Sequence, residues 1–148
     1  MDDSHTGIEC VSAGRADAWT IIDGAEEALL VTKSAGFRNI ILSNHATELP
    51  ELVSSLGLAS VIEQTITSAT VGAEKPNPFI FTFAMTVAGV TGASEVWMIG
   101  DNPIADIEGA QNVGISAILA DGTHSDAIGM TVLEAAHHVV RSHHETDR

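Results

Sequence analysis

Short runs of Ile, Leu and Val alternate along this chain with stretches of helical spacing, and the connections between them are short. Residues 39–42 read N-I-I-L, residues 61–67 hold a strand in their later half, 96–99 form an apolar run ending in Ile99, and 116–119 read S-A-I-L. Between and around them apolar positions recur at helical spacing over 25–35, 49–56, 79–87 and 104–113, with Gly36, Gly57 and Gly114 as stops, and again over about 125–136. Strands this short, and apolar rather than alternating, are buried on both faces. Interleaved with helices, they predict a parallel sheet covered on two sides. The expected fold class is α/β: a three-layer αβα sandwich with a mainly parallel sheet. Its core spans residues 24–136. Residues 1–23 are a poorly patterned N-terminal segment in which 8–11 reads as a short strand, and 137–148 form a polar, His-rich tail that frays.

Composition removes several classes of function. Twenty acidic residues stand against six basic ones, a formal net charge of −14. Neither nucleic acid nor an anionic membrane is expected as a partner, because both need basic patches. The chain has one cysteine, Cys10, so no internal disulfide is available, which fits a reducing cytoplasm. No stretch approaches the roughly 20 apolar residues of a membrane-spanning helix. The start, M-D-D-S-H-T-G, is too acidic and polar for a secretory signal.

Chemistry concentrates at the predicted strand ends. The segment W-M-I-G-D-N-P-I-A-D-I-E-G-A places Asp101 and Asp106 in one loop after a buried strand. Two carboxylates there suit a hard cation such as Mg2+. Ser43, Asn44 and His45 follow the strand at 39–42, and Lys75 lies in the loop after the next strand. In a parallel sheet these ends share one edge, where ligands bind. A hydroxyl, an amide, an ammonium and a metal-held carboxylate together suit a phosphoryl group. Taken singly, each has a plainer reading as a strand end, a loop lysine, a turn or a cap.

The order S-N, then G-x-x-K-P-x-P-x-I-F, then G-D-N-x-x-x-D-I-x-G-A resembles the haloacid dehalogenase-like (HAD) hydrolase superfamily, above all its phosphoglycolate phosphatase-like branch. The resemblance runs over about residues 24–121. It implies a Rossmann-like core with sheet order 3-2-1-4-5 and a magnesium-dependent phosphomonoester hydrolase working through an aspartyl-phosphate. It implies that Ser43 is a phosphate ligand; the Asn44 amide suits a phosphoryl oxygen by its place at the strand end, and His45, directly after the Ser-Asn pair, faces either the substrate or the interface with a cap. Lys75 would steady nucleophile and phosphate, Asp101 would be the metal ligand, and Asp106 would orient the metal site or a bound water. The substrate would be a small phosphorylated molecule. Dehalogenation of 2-haloacids is the family's other hydrolytic chemistry, and it needs no metal, so Asp101 favours the phosphatase.

One departure matters. The family begins with a strand ending in D-x-D-x-T, whose first Asp is the nucleophile, and this chain has no such sequence. Asp17 is followed by Ala-Trp-Thr, Asp23 reads as a helix cap, and Asp121-Gly122-Thr123 reads as a turn after the last strand. Loss of a nucleophile costs about 10⁶ in turnover in other hydrolases, so the chain alone is expected to be inactive and to be part of a longer protein. The alternative is a non-catalytic module that binds a phosphorylated ligand or a partner protein. The absent strand is also the central one. Its loss leaves its neighbours about 5 Å further apart than normal strand spacing, to be filled by residues 8–11, by a second copy in a homodimer, or by direct closure. The adjacent pairs His137–His138 and His143–His144 lie in the polar tail and are not expected to bind metal.

Overall fold

The computed structural model describes residues 8–10, 19–21, 24–121 and 130–146. Strands β1 (Ile8–Cys10) and β2 (Trp19–Ile21) form an antiparallel pair, with Glu9 opposite Thr20. The first lies where the sequence marks a strand. The second falls in a stretch that shows no clear period.

Helix α1 (Ala25–Ser34) starts from Gly24, whose φ of 82° lies in the left-handed region. Ala25, Ala28, Leu29 and Thr32 make its buried stripe. Asp23 lies outside the described residues. Strand β3 (Ile40–Ser43) pairs in parallel with β4 (Gln64–Thr67), Ile40 opposite Gln64 and Ser43 opposite Thr67. Helix α2 (Leu49–Ser55) connects them, with Pro50 in its first turn, where no N–H is needed. After β4 come the short α3 (Ser68–Val71) and α4 (Pro78–Ala88). Asn77 caps α4 by accepting the Phe79 N–H at 2.9 Å. Strand β5 (Trp97–Gly100) pairs in parallel with β6 (Ser116–Leu119). Between them a regular helix is expected, but the chain makes a π-helical turn, Pro103–Glu108, and only then α5 (Gly109–Gln111).

Side chains alternate across the strands as buried parallel strands require. Ile41 packs with Leu29, Leu49, Leu52 and Val53 of α1 and α2. Its neighbour Leu42 packs on the opposite face with Ile66, Ile80, Phe81 and Ala110. In the other strand pair, Ile99 and Ile118 join Ala28 and α6 (Val132–Thr146), while Met98 and Ala117 join the Phe81 cluster. Both strand pairs therefore share the same two helical faces, and the fold is α/β.

The sheet itself is divided. Among the described residues β3 bonds only to β4, β5 only to β6, and β1 only to β2. Of the ways to fill the central position, direct closure of β3 on β5 is not adopted, and residues 8–10 are engaged with β2.

The last helix also departs from expectation. It begins at Val132 rather than near 125, because Thr131 and Glu134 form a capping box. The Glu134 N–H donates to Thr131 Oγ1 at 3.1 Å, and the Thr131 N–H donates to Glu134 Oε1 at 3.0 Å. It runs on to Thr146 instead of fraying after 136. Val132, Ala135, Ala136 and Val139 carry a buried stripe along it, and His138 and His143 stand edge-on to Trp97 and Phe37, with centroids 6.0 and 5.1 Å apart.

Candidate active site

Three strand ends supply the site. Ser43 closes β3 with no exposure, and its hydroxyl has no hydrogen-bond partner among the described residues. Asn44 follows, half-buried, and its side chain is committed to another loop. The Lys75 N–H donates to Asn44 Oδ1 at 2.8 Å, and Asn44 Nδ2 donates to the Lys75 carbonyl at 3.1 Å. His45 turns to its own loop, with Nδ1 3.4 Å from the Ala46 carbonyl oxygen and 3.9 Å from Glu48 Oε1. Its carbonyl accepts from the Ala69 N–H and the Ser68 hydroxyl, at 3.2 and 3.3 Å, which ties the loop to α3.

Lys75 and Asp106 form the centre. The lysine Nζ donates to Asp106 Oδ1 at 2.5 Å, and neither side chain has any exposure. Asp106 Oδ2 accepts the Asn102 N–H at 3.1 Å. Asn102 in turn caps the π-helical turn, its Oδ1 accepting the N–H groups of Ile104 and Ala105 at 2.9 Å each. Two glycines permit this closeness. A Cβ on Gly100 would stand 2.5 Å from Asp106 Cγ, and one on Gly109 would stand 2.8 Å from the Phe81 ring and 3.0 Å from Pro76. Gly100 thus lets the carboxylate fold back over the end of β5. Gly109 lets α5 press on the loop that carries Lys75.

Burial pushes the Asp106 carboxyl above its ordinary value. The charge and hydrogen bond of Lys75 and the Asn102 N–H pull it down, and the charge of Asp101 pushes it up again. Asp101 itself stands half-buried at the end of β5. Among the described residues no three His, Cys, Asp or Glu side chains come together to hold a metal. Magnesium needs only one or two carboxylates and otherwise keeps waters or phosphate oxygens. Asp106 is tied to Lys75, so Asp101 fits as the single protein carboxylate of such a site. Asp121 follows β6, its Oδ1 buried and without a hydrogen-bond partner among the described residues, and Gly122 and Thr123 lie outside them.

The structure thus brings Lys75 and Asp106 into contact, joins Asn44 to Lys75 through the backbone, and turns the His45 ring toward Glu48. Sequence reasoning quotes Gly100, Asn102 and Gly109 within a motif but gives none of them a role in the site. The signal for Asn102 is present, an Asn before a Pro at the first helical position.

A parallel α/β unit with a buried acid–base pair and a further carboxylate at its strand ends defines the class. The sequence profile of the haloacid dehalogenase-like hydrolases matches residues 7–114, and the chain belongs to that family. It is 32% identical over 105 residues to haloacid dehalogenase-like hydrolase domain-containing protein 3 of Mus musculus, covering 71% of this chain and 41% of that protein. It is 37% identical over 100 residues to glyceraldehyde 3-phosphate phosphatase of Methanothermobacter thermautotrophicus, covering 67% of this chain and 44% of that protein. The crystal structure of a HAD phosphatase from Thermococcus onnurineus superposes with a TM-score of 0.74 at 22% identity, over 84% of this chain and 60% of that one. The chain therefore spans about two fifths of the length of the curated relatives it matches.

Proposed function

We propose that this chain carries the phosphate-handling core of a magnesium-dependent phosphomonoester hydrolase and has no turnover by itself. The observation that carries this reading is the fully buried Lys75–Asp106 pair, at the strand-end edge where the Ser43 hydroxyl has no partner among the described residues. Relatives named as phosphatases support it. Ser43 donates its hydroxyl proton to a phosphoryl oxygen. Lys75 balances phosphoryl charge and is held in place by Asp106. Asp101 holds the magnesium ion, which when bound neutralises charge on the phosphoryl oxygens. The attacking carboxylate of a D-x-D-x-T strand is not in this sequence. The substrate is a small phosphorylated molecule met in the cytoplasm.

The complete burial of Ser43, Lys75 and Asp106 favours a second reading, a non-catalytic module whose polar cluster is structural.

Hydrolysis of an aryl phosphate, with and without magnesium, tests the proposal. It compares the chain as it stands with a form extended at its N-terminus by an apolar strand ending in D-x-D-x-T. Magnesium-dependent turnover by the extended form alone, lost in Asp101→Asn, is the expected result. Turnover by the unextended chain that is lost in Asp101→Asn would assign the attack to another carboxylate, Asp17 or Asp23, and overturn the reading.

A further inference from the structure

We propose that Asn44 is a positioning residue that acts through Lys75 and is not itself a ligand of the phosphoryl group. Its meaning for the reaction rests on the phosphatase reading, but the geometry stands apart from it. Asn44 lies one residue beyond β3, and Lys75 lies 31 residues on, in the loop between α3 and α4. One side-chain amide satisfies both backbone groups of that single residue, taking the N–H at 2.8 Å and giving to the carbonyl at 3.1 Å. Among short side chains only Asn carries its donor and its acceptor on two separate atoms, as this contact requires. It stands in for the neighbouring strand that the Lys75 backbone lacks.

The consequence falls on the lysine side chain. A four-carbon stem has large rotamer freedom, and a compact ammonium has no planar fork to orient it. Fixing the root of the stem limits where Nζ can go, and from that root it meets Asp106 Oδ1. Asp106 is held by the Asn102 N–H. The line Asn44, Lys75, Asp106, Asn102 thus joins the loops after β3, β4 and β5 into one polar array. Both polar atoms of the Asn44 amide are turned to Lys75 rather than to a ligand.

The chain has only two lysines, Lys33 and Lys75, so ¹⁵N-lysine labelling gives a spectrum that can be read directly. Lys33 is exposed and donates to the Ser60 carbonyl, which makes it an internal reference. The measurement is solvent exchange of the Lys75 ammonium protons. In Asn44→Ala we expect exchange to rise about tenfold, the effect of two lost hydrogen bonds, with Lys33 unchanged. If that variant does not fold, Asn44→Asp decides. It has the same shape and keeps the acceptor for the Lys75 N–H, but it sets an oxygen against the Lys75 carbonyl, so exchange again rises. Lys75 exchange within about twofold of wild type in a folded variant overturns the proposal. The readout needs no turnover, so failure of the phosphatase reading and failure of this proposal are separate results.

Discussion

Replacing Lys75 by Met isolates the central ion pair. The ammonium and the Asp106 carboxylate are 2.5 Å apart with no exposure, so solvent does not screen them. Without the lysine, the Asp106 carboxylate keeps one hydrogen bond among the described residues, from the Asn102 N–H at 3.1 Å. Breaking a buried pair on one side costs about 3–5 kcal/mol, because a charge is left in a poorly solvating interior. A domain of this size has about 5–15 kcal/mol of stability in total, so urea unfolding will resolve the loss easily. Adding Asp106→Asn removes the stranded charge while keeping the Asn102 contact. The double variant should recover to within about 2 kcal/mol of wild type.

The pH dependence follows from the direction of the Asp106 shift. Burial holds its folded-state carboxyl above the ordinary value, and Lys75 opposes that shift. In Lys75→Met the opposition is gone, so the folded state binds the proton still more tightly than the unfolded chain does. Stability then falls as pH rises from the unfolded value, about 3.9, to the raised folded value, at up to about 1.4 kcal/mol per pH unit. The deficit of Lys75→Met against wild type therefore shrinks as the pH is lowered from 7 toward 4. A single-variant loss below about 1 kcal/mol, the range of exposed pairs, or a deficit that grows on acidification, would refute this account.

Three further outcomes are expected. Gly100→Ala forces a methyl group into the Asp106 carboxylate, 2.5 Å from Cγ, and should cost about 3 kcal/mol in urea unfolding; a cost within about 0.5 kcal/mol would mean that Asp106 does not lie over the strand end. Thr131→Ala breaks the capping box of α6 and should cost about 1 kcal/mol, lowering the melting temperature by a few degrees in calorimetry; no change would put the helix start elsewhere. With a net charge of −14, raising salt from about 0.01 M to about 1 M shortens the screening length from about 30 Å to about 3 Å; melting temperature should rise, and a fall would show that self-repulsion is not what limits stability.

The elements most legible in the sequence were those where burial alone decides. The runs N-I-I-L and S-A-I-L are apolar on both faces, and β3 and β6 lie on them. The stripe Ala28–Leu29–Thr32 has helical period, and α1 follows it. Elements set by a local hydrogen bond are less legible. The start of α6 depends on the reciprocal Thr131–Glu134 contact, which 3.6-residue spacing cannot reveal. The length of α6 depends on a face of small residues and on rings that pack beside His138 and His143, in a segment whose composition is polar. The candidate residues were visible as types at strand ends, but their pairing was not. Nothing in S-N-H announces that the amide of Asn44 serves the backbone of Lys75, because that contact joins positions 31 apart.

The divided sheet gives the ion pair a second meaning. No ladder bond joins β3 to β5 among the described residues, so the two strand pairs are held together by what lies on and beside them. On one face α1 does this, with Leu29 in the cluster around Ile41 and its neighbour Ala28 in the cluster around Ile118. On the other face a single cluster holds Leu42 and Ile66 of one pair together with Met98 and Ala117 of the other. Along the strand-end edge the link is polar, and it runs from Asn44 through Lys75 to Asp106. Apolar contacts on the faces tolerate small slides, whereas a 2.5 Å ion pair anchored by a backbone clamp does not. On this argument the register between the two strand pairs is set at the strand-end edge, and Lys75→Met should loosen that edge before it loosens the cluster around Phe81. Hydrogen exchange of backbone amides in residues 100–106 and 72–77, rising ahead of those in β4 and α4, would show that order of events; uniform loosening would assign the register to the helices instead.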